Sequence, residues 1–82
     1  MSFLDMVRAE VERARSLHGP MNSLHEAYAV ILEEVDELWD QCRLRTSERD
    51  PKAILDELVH IAAMACRTAL DLGYEDPKGG SS

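Results

Sequence analysis

Residues 24–44 read LHEAYAVILEEVDELWDQCRL and residues 51–72 read PKAILDELVHIAAMACRTALDL. In the first stretch Leu24, Tyr28, Ile31, Val35, Leu38 and Cys42 recur at three- and four-residue steps, which is the spacing of one helix face. Ser23 followed by Glu26 predicts a capping box at its start. In the second stretch Asp50 is a good N-cap, Pro51 suits the first helical position, and Gly73 suits a left-handed cap beyond the end. The link over 45–50 is short, and short helix–helix links make antiparallel neighbours.

Working outward, residues 3–17 predict a further helix. Leu4, Val7, Val11, Ala14 and His18 form its apolar stripe, Ser2 with Asp5 opens it, and Gly19-Pro20 ends it. The expected fold is all-α: an antiparallel hairpin plus an N-terminal helix, forming one domain over 1–73. The remainder, 74–82, holds Pro77 and ends in Gly-Gly-Ser-Ser, the composition of a mobile tail or an artificial extension. Between Leu58 and Cys66 the third helix is apolar on every side except at His60. A helix apolar all round must be buried all round. Two helices of an 82-residue chain can hardly cover it, so a homodimer or homotetramer is expected, making a bundle of four or more helices.

The net charge of −7 comes from 9 Lys+Arg against 16 Asp+Glu, and it excludes nucleic acid as a direct partner because a phosphate backbone needs a basic footprint. A single nucleotide stays open, since a bound cation reverses the local sign. Charges interrupt the apolar residues of the N-terminal segment, which therefore reads as neither a signal peptide nor a membrane span. Cys42 and Cys66 make no CxxC or metal-ligand pattern, and a reducing, cytoplasmic setting is the simpler expectation.

The acids of the second helix carry the chemistry. Glu33, Glu34, Asp36, Glu37 and Asp40 lie mid-helix, too far from its N-terminus for the dipole to help. Several are like-charge neighbours at three or four residues, each pair costing roughly 0.2–0.5 kcal/mol. They are also too widely spread to share one outer face, and Glu34 lies on the side of Ala27 and Ile31. A buried carboxylate is expensive unless it is neutralised or bound to metal. If the hairpin pairs Leu44 with Pro51, paired positions sum to about 95. Glu37 then lies level with Glu57, and Glu34 level with His60. Glu34, Glu37, Glu57 and His60 thus converge as four ligand-type groups, a set suited to Mg²⁺ or Mn²⁺.

These residues also carry a family resemblance. The segment around Glu33-Glu34-Val35-Asp36-Glu37 matches an EExxE motif, and Glu57-Leu58-Val59-His60 matches ExxD except at its last position. The pattern resembles the MazG-like all-α nucleoside triphosphate pyrophosphohydrolases over about residues 25–72. The resemblance implies Mg²⁺-dependent hydrolysis of a nucleoside triphosphate to a monophosphate and pyrophosphate. It implies Glu34, Glu37 and Glu57 as metal ligands and Glu33 as the residue that orients or deprotonates the attacking water or binds a second cation. His60 departs from the pattern: it removes one negative charge, offers a nitrogen ligand, and shifts preference toward Mn²⁺, Fe²⁺ or Zn²⁺. Weakened or lost turnover follows as one expectation, with a non-catalytic helical oligomer as the alternative. A third reading takes Glu57-x-x-His60 as half of a di-iron or di-manganese carboxylate site. Trp39 and Arg67 are candidate substrate contacts for base and phosphate; core or interface packing for Trp39 and a surface or intersubunit ion pair for Arg67 are the plainer expectations.

Overall fold

The computed structural model describes residues 1–75, and the expected mobile tail lies, beyond Glu75, outside the described residues. Three α-helices occur: α1 (Phe3–His18), α2 (Leu24–Cys42) and α3 (Pro51–Asp71), with one 3₁₀ turn, Thr46–Glu48, between α2 and α3. The described residues contain no strand, and none of their helices is long and apolar enough to cross a membrane.

Local chemistry sets each boundary. The Ser2 hydroxyl accepts from the Asp5 N–H at 3.1 Å, and the Asp5 carboxylate accepts from the Ser2 N–H at 3.2 Å, completing a capping box. At α2 the Ser23 hydroxyl accepts from the Glu26 N–H at 3.0 Å, but Glu26 reaches one residue further back, to the Asn22 N–H at 2.6 Å. Arg49 closes α2 by donating to the carbonyls of Gln41 and Cys42 at 3.2 and 2.9 Å. Asp50 caps α3 through the Lys52 N–H at 3.0 Å. At its other end Gly73 takes φ +79°, and Tyr74 and Gly73 donate to the carbonyls of Ala69 and Leu70, a Schellman motif.

α3 is the central element: α1 and α2 each pack on it rather than on one another. α1 runs parallel to α3, since Glu10 lies beside His60 and Arg15 beside Asp71. α2 runs antiparallel, since Glu34 lies beside His60 while Leu38 and Cys42 share a cavity with Ile54. The core is small: Val11, Ala14, Met21, Ala27, Ala63 and Met64, flanked by Val7, Val30, Ile31, Cys66 and Leu72.

The face that α2 turns to the core differs from the expected stripe. Ala27 is its one buried residue, with Val30 and Ile31 packed beside it. Leu24, Tyr28, Val35 and Cys42, expected in that stripe, are exposed. Tyr28 is 66% and Trp39 59% accessible, so Trp39 is not core. The small residues Ala27 and Ala63, both fully buried in the same cluster, sit at the core where the larger Tyr28 and Val35 do not. Leu55 and Leu58 on α3 are also exposed.

Arg67 corrects a second expectation. It is not on the surface but buried, 4% accessible, within its own chain. Its guanidinium donates to the Gly19 carbonyl at 2.6 Å and lies 3.8 Å from the fully buried Asp71 carboxylate. Asp71 also accepts from the Met21 N–H at 3.0 Å and pairs with Arg15 at 3.1 Å. This network latches the α1–α2 connection onto the last turn of α3. Gly19 makes the connection possible, with φ +70° and ψ −170°, a region essentially reserved for glycine.

Candidate metal centre

The inward row of α3 reads Ala53, Glu57, His60, Met64, Arg67 and Asp71, stepping by four and three residues. The facing row of α2 reads Ala27, Ile31, Glu34, Leu38 and Gln41. Such rows normally carry apolar residues throughout. Here Glu34, Glu57 and His60 interrupt them at one height. One ligand-type atom from each of these three residues lies within 4.8 Å of the other two.

The hairpin register expected from the sequence is the one observed. His60 Nδ1 lies 3.4 Å from Glu34 Oε2. Glu57 contacts both Glu37 and Glu34. Glu37 and Glu33 are exposed, so Glu37 meets the cluster from its solvent side. Glu33 lines a cavity rather than the cluster itself.

Electrostatics mark the cluster as unsatisfied. Burial first, then the contacts with Glu37 and Glu34 and the repulsion of their charges, push the Glu57 carboxyl up to about 8. Glu34 Oε2 and Glu57 Oε2 are both buried and lack any hydrogen-bond partner. Buried acceptors are normally paired, and carboxylates especially so. Two carboxylates and one imidazole are a donor set that could hold a divalent cation.

α1 adds a part that sequence reasoning missed. Glu10 Oε2 lies 3.9 Å from His60 Nε2, on the far side of the ring from Glu34. Arg13 grips the same carboxylate, donating from Nε to Oε1 at 2.8 Å and from Nη2 to Oε2 at 2.6 Å. That hydrogen bond, reinforced by the charges of Arg13, His60 and Arg67 and only partly offset by burial, holds Glu10 below the usual carboxylate range. The acid at position 10 was the available signal, but nothing in the sequence gives the register of α1 against α3.

A cavity of about 390 Å³ opens between α1 and α2. Glu33, Glu34 and His60 lie along one side, with Arg13, His18 and Arg67 among the other lining residues and Val30, Met21 and Met64 as apolar floor. Its size falls in the range of small-molecule sites. Trp39 does not line it, and the Arg67 guanidinium within it is already committed to Gly19 and Asp71.

No family model, curated protein or solved structure matches the chain.

Proposed function

We propose that this protein is a metal-dependent nucleoside triphosphate pyrophosphohydrolase with its site at the α2–α3 crossing. The observation that carries the reading is the pair of buried, unpartnered carboxylate oxygens, Glu34 Oε2 and Glu57 Oε2, converging with His60. The EExxE pattern of Glu33 to Glu37 opposite Glu57 and His60 supports the MazG-like resemblance at the same place.

Glu34, Glu57 and His60 would hold Mg²⁺ or Mn²⁺, with Glu37 joining from the solvent side. When bound, the ion supplies charge neutralisation for the phosphates and acidifies coordinated water. Glu33, exposed at the cavity edge, orients the water that attacks the α-phosphorus and accepts its proton. The cavity beside the cluster receives the nucleotide, and the bound ion, rather than Arg13, which Glu10 already holds, offsets the phosphate charge.

We also propose a homodimer or homotetramer. Tyr28, Leu32, Val35 and Trp39 on α2 and Leu55 and Leu58 on α3 are large apolar side chains left exposed on one hairpin. A second hairpin packed on them would complete a bundle of at least four helices and cover the helix that the sequence expects to be buried.

The test is pyrophosphate release from a panel of NTPs and dNTPs with Mg²⁺ and with Mn²⁺. Release of monophosphate and pyrophosphate, abolished by Glu37→Gln with helix content unchanged, is the expected result. A second reading rests on the 3.4 Å approach of His60 Nδ1 to Glu34 Oε2. In that reading the imidazole N–H serves the carboxylate pair without a metal, and the chain is a non-catalytic helical module. No pyrophosphate with either ion at high enzyme concentration selects this second reading.

A further inference from the structure

We infer that Glu10 of α1 is a positioning residue for His60, the outer carboxylate that faces Nε2 when Nδ1 holds a cation. The inference rests on the cation reading of that cluster. The His60 ring lies between two carboxylates: Nδ1 is 3.4 Å from Glu34 Oε2, and Nε2 is 3.9 Å from Glu10 Oε2. A neutral imidazole has one N–H donor and one lone pair, and the partner of one nitrogen decides the role of the other. A cation held by the Nδ1 lone pair leaves the proton on Nε2, where Glu10 is the facing carboxylate. This is the carboxylate–histidine–metal arrangement by which outer partners orient a ligand.

Glu10 is built for the task. Its side chain is only 13% accessible, and Arg13 holds both of its oxygens, which fixes the carboxylate against the ring. At 3.9 Å the Glu10–His60 contact is longer than a hydrogen bond and acts through charge. A chain of contacts therefore runs from Arg13 through Glu10 and His60 to Glu34. It makes α1, which carries none of the EExxE or ExxD residues, a third wall of the site. It also gives His60 a role other than that of a defective aspartate.

The experiment compares full-length wild type with Glu10→Ala and Glu10→Gln, using Zn²⁺ and Mg²⁺ alone as probes. Calorimetry reads affinity, and long-range ¹⁵N spectra read which His60 nitrogen holds the proton. Glu10→Ala is expected to weaken Zn²⁺ binding about 10- to 100-fold and Mg²⁺ binding far less, because Mg²⁺ depends on the carboxylates. The His60 proton is expected on Nε2 in all Zn²⁺-loaded proteins, with an Nε2 resonance that moves in both variants. Equal weakening of the two cations, or an unmoved Nε2 resonance, overturns the inference. If wild type binds neither cation, the metal reading fails by itself, and the metal-free spectra decide this one. A moved His60 Nε2 resonance in Glu10→Ala upholds the pairing, and an unmoved one overturns it.

Discussion

Replacing Glu57 by Gln should make the cation-free protein more stable in alkaline solution, the opposite of what truncating a structural side chain does. The Glu57 carboxyl is pushed up to about 8 by burial and by Glu37 and Glu34. Its ordinary value is near 4.5. A raised acid means that folding favours the protonated form. That contribution is complete below the ordinary value and is lost as the pH rises through about 8. Glutamine keeps the shape of the protonated acid and cannot ionise. Each unit of displacement corresponds to about 1.4 kcal/mol, and solvent screening of a partly exposed group reduces the sum to about 1–2 kcal/mol. For a domain of this size that is a Tm gain of about 5–10 °C. The assay is thermal unfolding by circular dichroism at pH 9 with a chelator, and again with Mg²⁺ or Mn²⁺ at a hundred times its Kd. Wild type should gain roughly 2.7 kcal/mol from the ion, and the Gln variant nearly none. A Gln variant that melts at or below wild type at pH 9 without metal would refute the view that the cluster is a strained set of carboxylates.

Asp71→Asn should destabilise the protein by about 3 kcal/mol, because it strips the buried Arg67 of its counter-charge; urea denaturation measures it, and a loss under about 1 kcal/mol would show that the latch contributes little. Gly19→Ala should cost about 1–3 kcal/mol purely through backbone strain, since no atom lies within 4 Å of the added Cβ. Trp39→Glu should lower the association state by sedimentation without loss of helix content, and an unchanged sedimentation coefficient would place the assembly surface elsewhere or nowhere.

The hairpin was legible because its signals are local. Asp50, Pro51 and Gly73 fix the ends of α3 by their own backbone chemistry. The short link then sets the level of Glu34 against His60, which the structure reproduces at 3.4 Å. The rotation of α2 was not legible, because periodicity weights Tyr28 and Val35 above Ala27, whereas close helix contact selects the smallest residue. Arg67 was misplaced for a related reason. Its partner Asp71 is a near neighbour in sequence, but the Gly19 carbonyl that justifies its burial is 48 residues away. Glu10 was invisible because no short link ties α1 to α3.

The parallel docking of α1 has a kinetic consequence. Its ion pairs with α3, Glu10–His60 and Arg15–Asp71, join residues far apart in the chain, whereas the hairpin closes through a brief turn. Chain entropy therefore lets the hairpin zip first and α1 arrive last. Native-state hydrogen exchange should find α1 amides opening at lower free energy than those of α3. A chain caught with α1 undocked would keep its carboxylate pair yet lose the wall bearing Glu10 and Arg13, so under the proposed reading a bound cation would favour the docked form.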